Sequence, residues 1–189
     1  MSNMTATQHL EIIREKNRPT VNDYIPAIFN HFTELHGDRH YGDDAAILSG
    51  IATLNSTPVT VIAQVKGRNL EENKKSNFSM PHPGSGGALA LAVCDELAML
   101  EHALYSVISP RGFASILWKD PSREKEAADL MKITAEDLYN FGVCDKIISE
   151  SVGGAHTDPA QTADNISEYL ISAVERLSRI DIPTLLDNR

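Results

Sequence analysis

A glycine-rich turn at positions 84–87 (Gly-Ser-Gly-Gly) constrains this chain most, because it leads directly into a predicted helix of small apolar residues at 88–100. The first amides of a helix have no partner within it, and the helix dipole adds partial positive charge there. Glycines let a ligand oxygen approach those amides closely. Such a turn can bind phosphate or stabilise an oxyanion. It can equally serve only to pack a helix against a sheet, and the motif alone leaves both interpretations open.

The turn does not match two common nucleotide-binding motifs. No Lys-Ser or Lys-Thr pair follows it, as a P-loop would require. Its glycines do not form the GxGxxG pattern of dinucleotide-binding folds, and the segment before them is not strand-like. The sequence therefore excludes a P-loop and matches the dinucleotide-binding pattern poorly.

The N-terminal half is predicted to contain two helices followed by a β-hairpin. The helices are expected at 10–16 and 24–35, the strands at 46–54 and 58–65, and a polar loop at 66–83. Thr20 or Asn22 is expected to cap the second helix, and residues 55–57 suit a tight hairpin connection.

The C-terminal half is predicted to alternate helices and strands, which favours an α/β fold. After the helix at 88–100 we expect a strand at 103–109 ended by Pro110, helices at 113–118, 123–131 and 135–141, a strand at 143–149 and a closing helix at 165–180. A parallel strand pair needs a crossover, usually helical. The segment 66–83 has no helical periodicity, so the architecture is expected to be incomplete in its centre.

Composition narrows the class of protein. The net charge of −9 argues against nucleic-acid binding, which needs an excess of Lys and Arg. Cys94 and Cys144 lack the spacing of a zinc site and are expected to be free thiols, so no metal is expected on this chain. No signal peptide and no membrane-length apolar run is found, and a cytoplasmic location is expected.

A set of motifs in the same order along the chain resembles the carboxyltransferase alpha-subunit family of bacterial acetyl-CoA carboxylase. The resemblance covers nearly the whole chain. The motifs are RPT at 18–20, ELHGDR at 34–39, GDD at 42–44, KGR at 66–68, GSGGALA at 84–90, YSVISP at 105–110, GFASILWKD at 112–120, MKITA at 131–135 and GGAH at 153–156.

The resemblance implies a crotonase-like fold, in which ββα units wind into a spiral. It implies one domain over 1–189, with an N-terminal helical extension at 1–17, an N-terminal half at 18–83 and a C-terminal half at 84–189. Members of the family transfer a carboxyl group from carboxybiotin on a carrier protein to acetyl-CoA, giving malonyl-CoA for fatty-acid synthesis. They work with a zinc-bearing beta subunit, which suggests an α2β2 assembly, and bind no cofactor tightly themselves.

The resemblance also assigns the candidate site. Amides of Gly86 and Gly87 would hold the ureido oxygen of biotin, with Ser85 and Ala88 beside them. An oxyanion hole of this kind needs no nucleophilic side chain. Lys66 and Arg68 could contact the phosphates of coenzyme A or a carboxylate of a partner, although a solvated pair is the alternative. These two residues complete the set of predicted substrate-binding residues.

The chain departs from the family pattern where Pro83 joins Gly84, since the family has a further block of helices and strands there. A truncated gene product, an engineered deletion and a sequence that joins two segments across an omitted one all remain open. The deletion and Arg111, where an acid is usual, motivate an alternative function: a non-catalytic paralogue that binds the beta subunit. A different crotonase-type enzyme acting on an acyl-CoA is a further alternative.

Overall fold

The computed structural model describes residues 4–37, 42–76 and 93–188. Its α-helices are α1 (Ala6–Ile13), α2 (Val21–Ile28), α3 (Leu70–Lys75), α4 (Pro110–Leu117), α5 (Glu124–Met131), α6 (Ala135–Asn140), α7 (Pro159–Leu177) and α8 (Ile182–Asn188). A short 3₁₀ helix, Pro121–Arg123, precedes α5. Its strands are β1 (Asn30–Glu34), β2 (Ile47–Leu54), β3 (Thr57–Gln64), β4 (Ala98–Leu100) and β5 (Lys146–Ile148).

The predicted hairpin is confirmed. Strands β2 and β3 pair antiparallel from Ile47 opposite Gln64 to Leu54 opposite Thr57. The connecting residues Asn55 and Ser56 have φ angles of 43° and 69°. A two-residue loop with both φ angles positive matches the right-handed twist of the two strands, which explains the short connection.

The predicted helix at 24–35 is wrong in its second half. Helix α2 ends at Ile28, and Asn30–Glu34 forms β1, which pairs antiparallel with β2. Phe29 is already extended, with φ −110° and ψ 143°. The apolar residues that suggested a continuous helix fit a strand as well, and pairing with β2 decides between the two.

Two further predictions in the C-terminal half are wrong. Residues 98–100 of the predicted helix 88–100 form β4, which pairs in parallel with β5 inside the predicted strand 143–149. Residues 103–109 form no strand. Their β-type backbone pairing is one isolated antiparallel bridge, between Leu104 and Thr134. Pro110 starts α4 instead of ending a strand, because its fixed φ suits a first helical position.

The predicted loop at 66–83 contains a helix. The Asn69 side chain caps α3 by accepting a hydrogen bond of 2.9 Å from the amide of Glu72. Acidic residues fill the first turn of α3 and lysines the last, which suits the helix dipole. Residues 77–83 of the same prediction lie outside the described residues.

Apolar contacts join the two halves of the chain at two places. Leu10 of α1 packs with Ala128 of α5. Ile28 of α2 and Leu54 of β2 pack with Ala163 of α7, and further apolar residues of α7 surround them. The long closing helix, which begins earlier than the predicted 165, therefore covers the N-terminal hairpin.

A buried ion pair adds a third connection. Arg18 donates two hydrogen bonds of 2.7 and 2.6 Å to the carboxylate of Glu150, whose side chain is 0% exposed. The amides of Ala155 (2.7 Å) and His102 (3.1 Å) donate to the same carboxylate. Burial alone would raise the pKa of Glu150, but Arg18 and these amides outweigh it and hold that pKa below its ordinary value.

A buried histidine pair lies beside this carboxylate. The Nδ1 atoms of His9 in α1 and His102 are 2.9 Å apart, so one must donate and the other accept. Burial and then His102 lower the pKa of His9, while Glu101, Glu150 and Glu136 act in the opposite direction without reversing it. The fold therefore favours neutral His9.

We expect Arg18→Met to lower the free energy of unfolding by about 3–5 kcal/mol, because it leaves the Glu150 carboxylate buried without its cation. Arg14→Met is the matched control, since the Arg14 side chain is 55% exposed in its ion pair with Glu124. The control should cost less than about 1 kcal/mol. Urea unfolding of the two variants measures both values, and equal losses would contradict the structural role of the buried pair.

Stability should fall as the pH drops below about 6.5, because the unfolded chain then protonates at His9 while the folded chain resists. Above that pH, His9 is neutral in both states and adds no slope. His9→Gln removes this titration and should make the slope of unfolding free energy shallower between about pH 6.5 and 5, by at most about 1.4 kcal/mol per pH unit. An unchanged slope in urea unfolding across that range would exclude His9 as its source.

Candidate functional site

The predicted oxyanion turn cannot be located in this structure. Ser85, Gly86, Gly87 and Ala88 lie outside the described residues, so their predicted roles stay predictions. The described chain resumes at Val93, five residues before β4 begins at Ala98.

Lys66 and Arg68, the other predicted site residues, lie together in a cavity of about 490 Å³. We name it the basic cavity. It opens between the segment that links α1 to α2 and the turn that follows β3. Its lining residues are Ile13, Arg14, Glu15, Lys16, Arg18, Pro19, Thr20, Val21, Tyr24, Lys66, Gly67, Arg68 and Asn73.

The Lys-Gly-Arg turn is held against the start of α3. The amide of Gly67 donates to Asn73 Oδ1 at 3.1 Å, and the amide of Arg68 donates to Glu72 Oε2 at 2.8 Å. A side chain at position 67 would collide with the backbone nitrogen of Asn73. The close approach explains the glycine and fixes the positions of its two basic neighbours.

All three arginines of the basic cavity already have carboxylate partners. Arg68 donates to both oxygens of Asp23, at 2.6 and 2.5 Å, which lowers the pKa of that carboxyl. The other two pairs are Arg18 with Glu150 and Arg14 with Glu124. Arg68 is therefore committed to a partner within the chain, whereas its predicted role was to contact a ligand.

Lys66 differs from these arginines. No hydrogen bond or ion pair connects it to any residue within the described ranges. Its side chain is exposed to the cavity, yet surrounding protein lowers its pKa, and the charges of Arg18 and Arg14 lower it further. An anion bound here would relieve that repulsion.

Tyr24 is a residue of this cavity that the sequence did not predict. Its hydroxyl oxygen is buried and has no hydrogen-bond partner among the residues described. Burial raises the pKa of Tyr24 to about 12, so the group stays protonated and able to donate. A buried hydroxyl without a partner costs free energy.

The described ranges contain no group of three or more His, Cys, Asp or Glu residues that could hold a metal ion. Both cysteines are free, and Cys144 is buried. No helix in these ranges is long and apolar enough to cross a bilayer.

Comparison with known sequences identifies the relatives of the chain. The sequence model of a family described as "Acetyl co-enzyme A carboxylase carboxyltransferase-like" matches residues 1–84 and 83–189. The acetyl-coenzyme A carboxylase carboxyl transferase subunit alpha of Clostridium perfringens is 41% identical, covering 97% of this chain and 92% of the relative. The same subunit of Clostridium acetobutylicum is 42% identical (98% and 92%), and that of Pseudomonas entomophila is 38% identical (99% and 80%).

These matches also confirm the predicted internal gap. The alignment with the Clostridium perfringens subunit extends over 250 positions, whereas this chain has 189 residues, so at least 61 positions have no counterpart here. The family match breaks at 83–84, which is where the motifs predicted the missing block.

Among solved structures, transcarboxylase 12S has a similar fold. The TM-score is 0.55 at 13% identity, with 95% of this chain and 46% of that chain covered, so the chain spans about half the length of that structure. The predicted crotonase-like α/β fold is confirmed by this likeness and by the family match. The two-segment match, the identities near 40% and the shared fold together show that this chain belongs to the acetyl co-enzyme A carboxylase carboxyltransferase-like family.

Proposed function

We propose that this chain is the alpha subunit of a carboxyltransferase that moves a carboxyl group from carboxybiotin, delivered on a carrier protein, to acetyl-CoA. The product would be malonyl-CoA for fatty-acid synthesis. One observation carries the proposal: relatives named as this subunit are about 40% identical over nearly the whole chain, on both sides of the gap. The same family membership disfavours an unrelated crotonase-type acyl-CoA enzyme.

In this proposal, backbone amides supply the chemistry. Amides of Gly86 and Gly87 donate to the biotin ureido oxygen as negative charge develops on it, and Ser85 and Ala88 complete that turn. When bound, carboxybiotin would supply the CO₂ and leave an enolate able to accept a methyl proton from acetyl-CoA, whose carbanion would then take up that CO₂. Donors that are already in place stabilise such charge without reorganisation, which is why no side-chain nucleophile is needed.

The proposed enzyme is a complex. A beta subunit would supply the second oxyanion site and carry the zinc, and an α2β2 assembly with a biotin carboxyl carrier protein would complete the cytoplasmic system. Lys66 would contact an anionic group of the substrate, since it has no carboxylate partner in the described ranges. Arg68 would act with it mainly by holding Asp23 and the turn in place.

A second function is favoured by the missing block. At least 61 family positions are absent, and Ile51 and Ile62 of the hairpin are 52% and 73% exposed. Apolar strand residues exposed in this way suit a surface that a partner covers. A chain of this kind would bind the beta subunit as a non-catalytic element.

The two functions predict different results when the purified chain is mixed with a beta subunit and malonyl-CoA decarboxylation is measured in the presence of biotin. The catalytic proposal predicts turnover, and Gly87→Val should lower kcat by about 100-fold because it blocks the amide donors. Gly42→Val is the matched control, since a side chain at Gly42 meets no atom within 4 Å.

Complex formation without turnover would contradict the catalytic proposal and support the non-catalytic one. If neither complex formation nor turnover is observed, both the catalytic and the non-catalytic proposals are contradicted. The intact mass of the expressed protein, measured first, establishes whether the chain under test has the gap between Pro83 and Gly84.

A further inference from the structure

Strand β3 is an open edge of the three-stranded sheet, whose order is β1-β2-β3. The amide of Val65 donates to the carbonyl of Ala46, and this bond fixes which residues of β3 face β2, because they alternate along an antiparallel strand. The residues whose backbone groups bind β2 include Val59, Val61 and Ala63. Those whose backbone groups point away from β2 are Pro58, Thr60, Ile62 and Gln64. No hydrogen bond joins these outward groups to any residue that the structure describes.

Pro58 supports this alternation. It has no amide hydrogen, and it lies on the outward set, where that loss costs no bond to β2. Within sheets, proline is confined to such edge positions, to strand starts and to bulges. The outward side of β3 therefore has the features of a genuine edge.

The hairpin carries no charge that would keep another strand away. No ionisable residue occurs between Asp44 and Lys66, so β2 and β3 are wholly uncharged. The exposed face of the hairpin presents Ile51 and Ile62, which are diagonal neighbours across the two strands. Proteins usually protect an edge with charges, a bulge or a short strand. The other edge, β1, has all three, since it is five residues long, pairs irregularly with β2 and ends in Glu34.

The missing block explains why this edge is open. The alignment of 250 positions against 189 residues leaves at least 61 family positions absent, and they would follow β3 in the chain. Strands consecutive in sequence pair or neighbour each other roughly two-thirds of the time. A strand of the missing block would therefore be the usual neighbour of β3.

We propose that β3 pairs antiparallel with β3 of a second copy of this chain, about a two-fold axis at Ile62, which joins the two sheets into one. Thr60 of one copy then lies opposite Gln64 of the other, and the amides of both find a carbonyl. Ile62 lies beside its own counterpart, which covers a side chain that is 73% exposed. An axis at Thr60 would instead place Pro58, which has no amide hydrogen, opposite Ile62.

Charge and symmetry favour a second copy as the occupant. Two chains with a net charge of −9 repel each other, so they approach most easily where neither surface is charged. The hairpin supplies such a surface on both copies. Its outward groups also match themselves about a two-fold axis, which is the commonest symmetry of homo-oligomers.

This inference goes beyond the catalytic proposal and does not depend on it, because the chain is tested alone. It competes with the non-catalytic proposal, which assigns Ile51 and Ile62 to the beta subunit. The experiments below separate the two occupants.

Sedimentation equilibrium of the whole chain, without a beta subunit, measures the self-association. A contact along one strand edge is small for a protein interface, so we expect monomer and dimer to interconvert, with more dimer at higher concentration. Raising the ionic strength should favour the dimer, because salt screens the repulsion between the two negative chains. A chain that is still monomeric at about 1 mM, where even a millimolar Kd would be detected, would overturn the proposal.

Hydrogen exchange locates the contact. Dimer formation should slow exchange at the amides of Thr60, Ile62 and Gln64, which face solvent in the monomer. The amides of Val61 and Ala63 should respond much less, because they already bind β2. A dimer in which both sets of amides respond alike would contradict pairing through this edge.

Two variants disrupt the proposed contact in different ways. Ile62→Lys should weaken dimerisation at least tenfold, because the axis places the two new charges opposite each other. Leu130→Lys is the matched control, since Leu130 is an apolar residue of α5 that is 63% exposed and lies outside the sheet. Thr60→Pro removes one outward amide from each copy and leaves the bonds to β2 intact, so it should weaken dimerisation about tenfold.

Thermal unfolding of the diluted, monomeric variants guards against a folding artefact. Ile62→Lys and Thr60→Pro should unfold near the temperature of the unmodified chain, because both changes face solvent in the monomer. Equal dimerisation of Ile62→Lys and Leu130→Lys would overturn the inference. Protection of the edge amides that arises only when a beta subunit is added would also overturn it, and would assign this surface to the non-catalytic proposal.

Discussion

The carboxylate of Glu150 is the point at which three separate segments of this chain meet. Arg18 reaches it from the segment before α2, the amide of His102 from the residues after β4, and the amide of Ala155 from the turn before α7. A buried carboxylate is costly unless donors of this kind satisfy it. The contact therefore specifies how the N-terminal and C-terminal halves of the chain fit together.

The basic cavity depends on the same contact. Arg18 is at once the partner of Glu150 and a wall of the cavity, so the ion pair fixes the linker that carries Lys16. Helices α1 and α2, which flank this linker, pack against α5 and α7 of the other half. We infer that these long-range contacts let the two halves associate although the family's central block is missing.

The sequence predicted the features that depend on short-range chemistry. The hairpin around Asn55 and Ser56 is confirmed because its turn residues determine it locally, and the family motifs located the gap. The helix and strand assignments that proved wrong, at 30–34 and 98–100, concern apolar residues whose state depends on which strand lies beside them. Such pairing joins residues far apart in the sequence, so the local spacing of apolar residues does not reveal it.

The candidate site, like the fold, was predictable from the sequence only in part. The motif 66–68 identified Lys66 and Arg68, whereas the basic residues Arg14, Lys16 and Arg18 were not predicted to belong to the site. Tertiary contacts determine the rest: the grouping of these residues in one cavity, the ion pair of Arg68 with Asp23 and the unpaired Tyr24 hydroxyl.

One urea titration tests whether the halves form a single unit, with Trp118 fluorescence reporting the C-terminal half and hydrogen exchange of the β2–β3 amides reporting the N-terminal half. If the Glu150 contact joins the halves into one unit, both probes should show one common midpoint. Loss of the β2–β3 protection at lower urea than the Trp118 transition would contradict that.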